Sequence, residues 1–121
     1  MIQETKTILI VEDEAFVRFD LVDFFERSGW QVLEADSADH AIAILERHKD
    51  VRVVLTDVQM PGSMDGLKLA HFIRNRFPPT ALFITSGHER PCSTTLPERA
   101  TFLPKPFDHY RLLSRIEAVV A

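Results

Sequence analysis

Short apolar runs alternate with amphipathic segments along this chain. The apolar runs are rich in β-branched residues, as in TILIV near the N-terminus, and they predict buried strands. The five predicted strands are Thr7–Val11, Gln31–Glu34, Val51–Thr56, Thr80–Thr85 and Thr101–Leu103. The intervening segments carry apolar residues at helical spacing, such as Val17, Leu21, Phe24 and Phe25. The predicted helices are Ala15–Arg27, Ala38–His48, Gly66–Phe77 and Phe107–Val120.

Regular alternation of strands and helices predicts the α/β class. We expect a doubly wound sheet of five parallel strands with helices on both faces, because apolar strands of this kind need cover on each side. Right-handed crossovers should connect the strands. Pro91 and Pro97 interrupt the segment 88–100, so the fourth helix there should be short or irregular.

Length and composition fit one domain, which we place over residues 1–121. Hydrophobic residues make up 45% of the chain and charged residues 26%, a globular profile. The formal charge of −4 argues against nucleic acid or an anionic membrane as the main partner. A single cysteine excludes a disulfide within the chain and suits the cytoplasm. No apolar stretch approaches the roughly 20 residues of a membrane span.

Charged and hydroxyl residues stand where the predicted strands end. Glu12 and Asp13 follow the first strand, Asp57 the third, Thr85 the fourth and Lys105 the fifth. In a parallel sheet these ends share one edge, where α/β proteins build their sites. Alone, the aspartate after the third strand would read as an ordinary turn residue. The constellation favours a functional site instead.

Carboxylates gathered at one edge repel one another unless a cation neutralises them. Mg²⁺ is bound by oxygen ligands and few carboxylates, so we expect it here. A phosphoryl group on Asp57 would be stabilised by Mg²⁺ on one side and by the Lys105 ammonium on the other. The loop EDEA after the first strand is too acidic for the phosphate of a flavin, which argues against a flavin-binding protein.

Four motifs in this order resemble the receiver domain of bacterial two-component response regulators. They are ILIVEDE, LTDVQMPGSMDG, FITSGH and FLPKPF, and the resemblance covers essentially the whole chain. It implies the flavodoxin-like strand order 2-1-3-4-5. It also implies a phosphorylation-activated signalling switch that receives a phosphoryl group from a sensor histidine kinase or a phosphotransfer protein. A downstream protein target, which the sequence does not name, would read the switched surface.

The resemblance assigns metal and acceptor roles by position. Asp57 matches the phosphoacceptor. Asp13 matches the carboxylate that binds Mg²⁺ directly, Glu12 matches its acidic partner, and the backbone carbonyl of Gln59 matches a third protein ligand. Two departures from the family pattern stand beside these matches. Glutamate occupies position 12 where aspartate is common, and MPGSMDG carries one residue more than the usual loop.

The resemblance also assigns the groups that respond to phosphorylation. Thr85 matches the hydroxyl that moves to the phosphoryl group, and Lys105 the lysine that contacts it. Phe102 matches an aromatic residue that turns inward on activation, and the bond before Pro106 matches one that is usually cis. The family's switched surface comprises its fourth helix, fifth strand and fifth helix, the last being Phe107–Val120 here.

Two other functions are open to such a chain. A Mg²⁺-dependent phosphohydrolase acting through an aspartyl phosphate usually needs a second acid two residues after its nucleophile, where this chain has Gln59. A binding module that is never phosphorylated would have no use for the set Asp13, Asp57, Thr85 and Lys105. We therefore expect no enzyme in the ordinary sense, only self-phosphorylation and self-dephosphorylation.

Overall fold

The computed structural model describes residues 6–60, 64–87 and 96–120. Its five strands are β1 (Thr7–Val11), β2 (Gln31–Ala35), β3 (Val53–Asp57), β4 (Ala81–Ser86) and β5 (Ala100–Pro104). Its helices are α1 (Ala15–Arg27), α2 (Ala38–Arg47), α3 (Gly66–Arg76) and α4 (His109–Val120). The strands form one parallel sheet in the order β2-β1-β3-β4-β5. The predicted fold class and strand order are therefore confirmed.

Alternate residues of each central strand enter two separate cores. Leu9 and Val54 belong to the core beneath α2 and α3, whereas Ile8 and Val53 belong to the core beneath α1 and α4. Period-two alternation sends neighbouring side chains to opposite faces of a sheet. Because both faces are covered by helices, β1, β3 and β4 have apolar residues at both sets of positions.

Local sequence signals set the ends of the helices. The Ser37 hydroxyl accepts a hydrogen bond from the backbone N–H of His40 and so caps α2. Gly29, with φ of +93°, ends α1 in the left-handed conformation that glycine adopts easily. At α4 the helix starts at His109 rather than at the predicted Phe107, because the Asp108 carboxylate accepts the N–H of Tyr110 and caps the helix.

The bounds of β1 are as predicted, whereas those of the other four strands differ from the prediction by one or two residues. The third strand includes Asp57, which pairs with Thr85 on β4. Asp57 therefore lies on the sheet itself and not in the turn after it. The predicted short or irregular fourth helix falls mainly on 88–95, outside the described residues. Within the segment 88–100, the structure describes residues from 96 onward, and Glu98 and Arg99 form a turn before β5.

Candidate functional site

Three carboxylates meet at the carboxyl edge of the sheet. Glu12 and Asp13 follow β1, Asp57 ends β3, and these two strands are neighbours. One carboxylate oxygen from each of the three lies within 4.8 Å of the others. Glu12 and Asp57 are buried, whereas Asp13 is exposed. The parallel sheet thus brings together the acids that the sequence predicts to meet.

Lys105 reaches this acidic cluster from the edge strand β5. Its Nζ lies 2.9 Å from Oδ2 of Asp57 and 3.0 Å from Oε1 of Glu12. The backbone N–H of Lys105 donates to the Ser86 carbonyl, which extends the β4–β5 ladder to this residue. The peptide bond between Lys105 and Pro106 is cis, as the resemblance implies. One ammonium group therefore bridges two of the three acids.

The environment shifts the pKa of both Glu12 and Lys105 upward. Burial raises the pKa of Glu12, and this effect outweighs the hydrogen bonds from Lys105 and from the backbone N–H of Glu14. Burial by itself would lower the pKa of Lys105, but its hydrogen bonds to Asp57 and Glu12 and their negative charges raise it. The fold thus holds the lysine charged beside carboxylates that are costly to bury.

The two residues predicted to respond to phosphorylation, Thr85 and Phe102, lie on the neighbouring strands β4 and β5. Thr85 is buried and pairs directly with Asp57 across β3 and β4. Phe102 is half-buried on β5 and pairs with Ile84, one step back along β4. Phe102 is not among the residues that line the cavity at Asp57. The structure places Thr85 beside Asp57 and Phe102 on the neighbouring edge strand.

A hydrogen bond between Ser86 and Gln59 was not predicted. The Ser86 hydroxyl donates to Oε1 of Gln59 over 3.1 Å and so ties the loop after β3 to the end of β4. The backbone N–H of Gln59 also points to Oδ1 of Asp57, at 3.4 Å. The resemblance gave Gln59 only a backbone carbonyl as a possible metal ligand, so a role for its side chain was missed. No sequence signal pointed to this hydrogen bond, because it depends on how the loop after β3 lies against the end of β4.

A cavity of about 650 Å³ opens onto the carboxylate of Asp57. It is lined by Asp13, Glu14, Val17, Asp57, Gln59, Gly87, Lys105, Pro106, Phe107 and His109. The Asp57 side chain is 10% exposed. The lining residues Val17, Phe107 and His109 were not predicted to lie at this site, because their placement depends on how α1 and α4 meet. The cavity therefore has both charged and apolar lining residues.

Gly66 lets helix α3 begin directly against the site. A Cβ atom at this position would overlap the backbone carbonyl oxygen of Asp57. The backbone N–H of Gly66 donates to the carbonyl of Val58, which fixes the close approach. Asp65 caps the helix by accepting the N–H of Lys68. The glycine therefore sets how closely the start of α3 approaches the backbone of Asp57 and Val58.

The chain has a doubly wound parallel sheet, with an acidic cluster and a lysine at the carboxyl edge of that sheet. It is therefore one of the α/β proteins that form a site at the ends of their strands. The family model of the response regulator receiver domain matches residues 8–117. The chain therefore belongs to the response regulator receiver domain family and is a receiver domain of the two-component type.

Relatives and solved structures agree with this assignment. The chain is 36% identical over 118 residues to the sensor kinase CckA of Brucella abortus. The aligned region covers 94% of this chain and 12% of CckA. It is 32% identical over 112 residues to the response regulator protein FleR of Pseudomonas aeruginosa, covering 90% of this chain and 23% of FleR. The chain thus spans less than a quarter of either relative.

A crystal structure of a response regulator receiver protein from Sinorhizobium medicae superposes with a TM-score of 0.89 at 25% identity. It covers 97% of this chain and 95% of the other.

Across the ranges 6–60, 64–87 and 96–120, none of the helices has both the length and the apolar character needed to cross a membrane.

Proposed function

We propose that this chain is a phosphorylation-controlled switch whose acceptor is Asp57. The observation that carries the proposal is the position of Lys105, whose Nζ bridges Asp57 and Glu12 at the base of an open cavity. Phosphoryl transfer depends mainly on positioning and charge neutralisation. A buried carboxylate beside a fixed ammonium group supplies both.

The chemical step is a displacement at phosphorus. A carboxylate oxygen of Asp57 attacks the phosphoryl group of a phosphohistidine on a histidine kinase or a phosphotransfer protein. An O–P bond forms, the P–N bond breaks, and the donor imidazole leaves with the electron pair and then takes up a proton. Lys105 and the Thr85 hydroxyl would hydrogen-bond the phosphoryl oxygens. Attack of water on phosphorus in the same cavity then breaks this O–P bond, releases inorganic phosphate and returns Asp57 to its free carboxylate.

The acidic cluster fits Mg²⁺ by the chemistry of its donors. The three clustered side chains are all carboxylates, and one oxygen from each lies within 4.8 Å of the other two. Lys105 forms ion pairs with Glu12 and Asp57. Asp13 and Asp57 would hold the ion with the Gln59 carbonyl, and Glu12 would lie beside them. When bound, Mg²⁺ supplies positive charge that stabilises the oxygens of the transferring phosphoryl group.

A new charge on Asp57 would act through Lys105 and Thr85. Phosphorylation gives Lys105 new oxygen partners and so changes its bonds to Asp57 and Glu12. Thr85 lies one register step from Phe102, so a movement of one would affect the packing of the other. The surface around β5 and α4 would then differ between the two states, and a downstream protein would read the difference.

Intact-protein mass spectrometry with a small acyl phosphate or phosphoramidate tests the proposal. We expect one phosphoryl adduct on the wild type with Mg²⁺, much less in EDTA, and none on Asp57→Asn. Asp65→Asn is the matched control, because asparagine caps α3 as well as aspartate does, and it should be labelled normally. Labelling of Asp57→Asn equal to the wild type would refute the acceptor. Catalytic turnover of small phosphate esters would favour a phosphohydrolase instead.

A further inference from the structure

Arg18, near the start of α1, joins two strands at the carboxyl edge of the sheet. Its Nη1 donates to the backbone carbonyl of Glu12 over 2.8 Å, and its Nε donates to Oε1 of Glu34 over 2.9 Å. Glu12 follows β1, whereas Glu34 lies near the end of the neighbouring strand β2. One guanidinium group therefore connects helix α1 both to the loop after β1 and to the edge strand β2.

The guanidinium group of Arg18 is held on several sides. The Arg18 side chain is 14% exposed, whereas the side chain of its partner Glu34 is 42% exposed. The guanidinium carbon lies 5.2 Å from the centre of the Phe19 ring. A partly buried charge needs partners, and this one has a carboxylate, a carbonyl oxygen and an aromatic ring. The group is therefore a fixed part of the fold and not a solvated surface arginine.

Helix electrostatics alone would not favour an arginine at position 18. It is the fourth residue of α1, close to the end where the helix dipole favours negative charge. The side chain of the N-cap residue, Glu14, forms no capping hydrogen bond. Helix side chains lean toward the N-terminus, so Arg18 reaches back over this turn to the carbonyl of Glu12. Arg18 thus ties the loop after β1 to the helix, where no side-chain cap does so.

The position of Asp13 depends on this contact. A peptide unit is planar, so a fixed Glu12 carbonyl oxygen also fixes the plane in which the backbone continues to Asp13. The backbone N–H of Glu12 donates to the carbonyl of Ala35 over 3.0 Å, which holds the other side of the residue. Asp13 itself is exposed. The direction in which Asp13 leaves the strand is therefore set by the bonds of Glu12 to Arg18 and to Ala35.

We propose that Arg18 is a positioning residue for the metal site and acts through Asp13. It holds the peptide plane before Asp13 and so keeps a carboxylate oxygen of that residue within 4.8 Å of one of Asp57. Glu34 acts through Arg18, because it orients the guanidinium toward the Glu12 carbonyl. Loss of a group that orients a metal ligand lowers metal affinity by about 10- to 100-fold. This inference rests on the Mg²⁺ site of the function proposed above.

Amide NMR spectra recorded along a Mg²⁺ titration test the proposal, because they report on folded molecules. Arg18→Met keeps the aliphatic stem and removes both hydrogen bonds, so the Kd for Mg²⁺ should rise about tenfold or more. Arg27→Met is the matched control, since it removes an exposed arginine of α1 that also pairs with an acid, Asp23. Its Kd should equal the wild-type value. An unchanged Kd in Arg18→Met, even with lower stability, would refute the positioning role.

Arg18→Lys separates geometry from charge. Lysine keeps the positive charge, but its single nitrogen cannot replace two separate guanidinium nitrogens. We expect weaker Mg²⁺ binding than in the wild type, and full wild-type affinity would overturn the proposal.

Glu34→Gln changes an exposed position and keeps the proposal testable if Arg18→Met does not fold. It should weaken Mg²⁺ binding less than Arg18→Met, and it should add nothing when combined with Arg18→Met, because Glu34 acts through Arg18. No effect of Glu34→Gln, or an additive loss in the double variant, would refute the action of Glu34 through Arg18.

Backbone dynamics in EDTA provide a readout that needs no metal. The order parameter of the Asp13 N–H should fall in Arg18→Met from a rigid value of about 0.85 toward about 0.6, and it should not fall in Arg27→Met. Equal order parameters in the two variants would refute the hold of Arg18 on the loop. A wild-type spectrum that does not respond to Mg²⁺ would refute the metal site proposed above, whereas a wild type and an Arg18→Met variant with equal Kd refute this inference alone.

Discussion

Lys105 Nζ lies 2.9 Å from Oδ2 of Asp57, although 48 residues separate them along the chain. The same nitrogen lies 3.0 Å from Oε1 of Glu12. A single cation thereby offsets part of the repulsion among three clustered acids. The stability of the resting state and its response to metal, pH and substitution follow from this arrangement.

Replacing Lys105 with methionine should destabilise the protein in EDTA. Methionine keeps the apolar stem but leaves Asp57 and Glu12 without their shared hydrogen-bond donor, so the free energy of unfolding should fall by about 1–3 kcal/mol. Denaturant unfolding measures the change. Lys68→Met, at an exposed position on α3, is the control and should change stability by less than about 0.5 kcal/mol. Equal stability of the two variants would argue against the bridge.

Mg²⁺ should stabilise the wild type and should not stabilise Asp13→Asn to the same extent. Binding to the folded state alone adds about 2.7 kcal/mol at a ligand concentration one hundred times Kd. Without Mg²⁺, Asp13→Asn should be at least as stable as the wild type, because one of the three repelling charges is gone. Thermal unfolding with and without Mg²⁺ measures both effects. Identical metal-induced increases in Tm would exclude Asp13 as a ligand.

Glu12→Gln should gain stability relative to the wild type as pH rises. The folded state raises the pKa of Glu12 above its ordinary 4.5, so the fold favours the protonated form. That contribution is present below the unfolded pKa and is lost as pH rises through the folded pKa. The glutamine variant does not titrate. Unfolding in EDTA at several pH values from 4.5 upward should show a widening difference, and a difference independent of pH would contradict the shift.

Gly66→Ala should disturb the contact between the start of α3 and the end of β3. The new methyl group would overlap the Asp57 carbonyl oxygen, so α3 or the β3 end must shift, at a cost of about 2–3 kcal/mol. Gly87→Ala is the control, since its methyl group would meet only the Lys105 side chain, at 3.8 Å. Denaturant unfolding should separate the two, with a change below about 1 kcal/mol for the control. If the two variants lost similar amounts of stability, the overlap with the Asp57 carbonyl oxygen would not be the cause.

Apolar runs and parallel topology made much of the fold and site predictable. The strands β1, β3 and β4 were visible as apolar runs, and a parallel sheet must bring its carboxyl ends together. That reasoning, from residues alone, placed Asp13, Asp57 and Lys105 at one edge. The face of α1 that carries Leu21 and Phe25 was also read correctly from helical spacing, and both residues are buried.

Contacts that depend on loop geometry were not predictable. Ser86, at the end of β4, donates to the side chain of Gln59 in the loop after β3, and neither residue type signals such a partner. Arg74 donates to the backbone carbonyls of Glu98, Pro78 and Thr80, and carbonyls are present at every position of a chain. Spacing in a sequence reports which face is apolar, whereas these interactions need the relative positions of the loops.

Asp57 and Lys105 are held by different numbers of neighbouring strands. Asp57 stands on β3, which is hydrogen-bonded to β1 on one side and β4 on the other, whereas Lys105 extends a border strand with a single neighbour. A strand held on both flanks resists displacement more strongly than one held on a single flank. We therefore expect any rearrangement around Lys105 to displace the border strand β5 more than β3, which is paired on both sides.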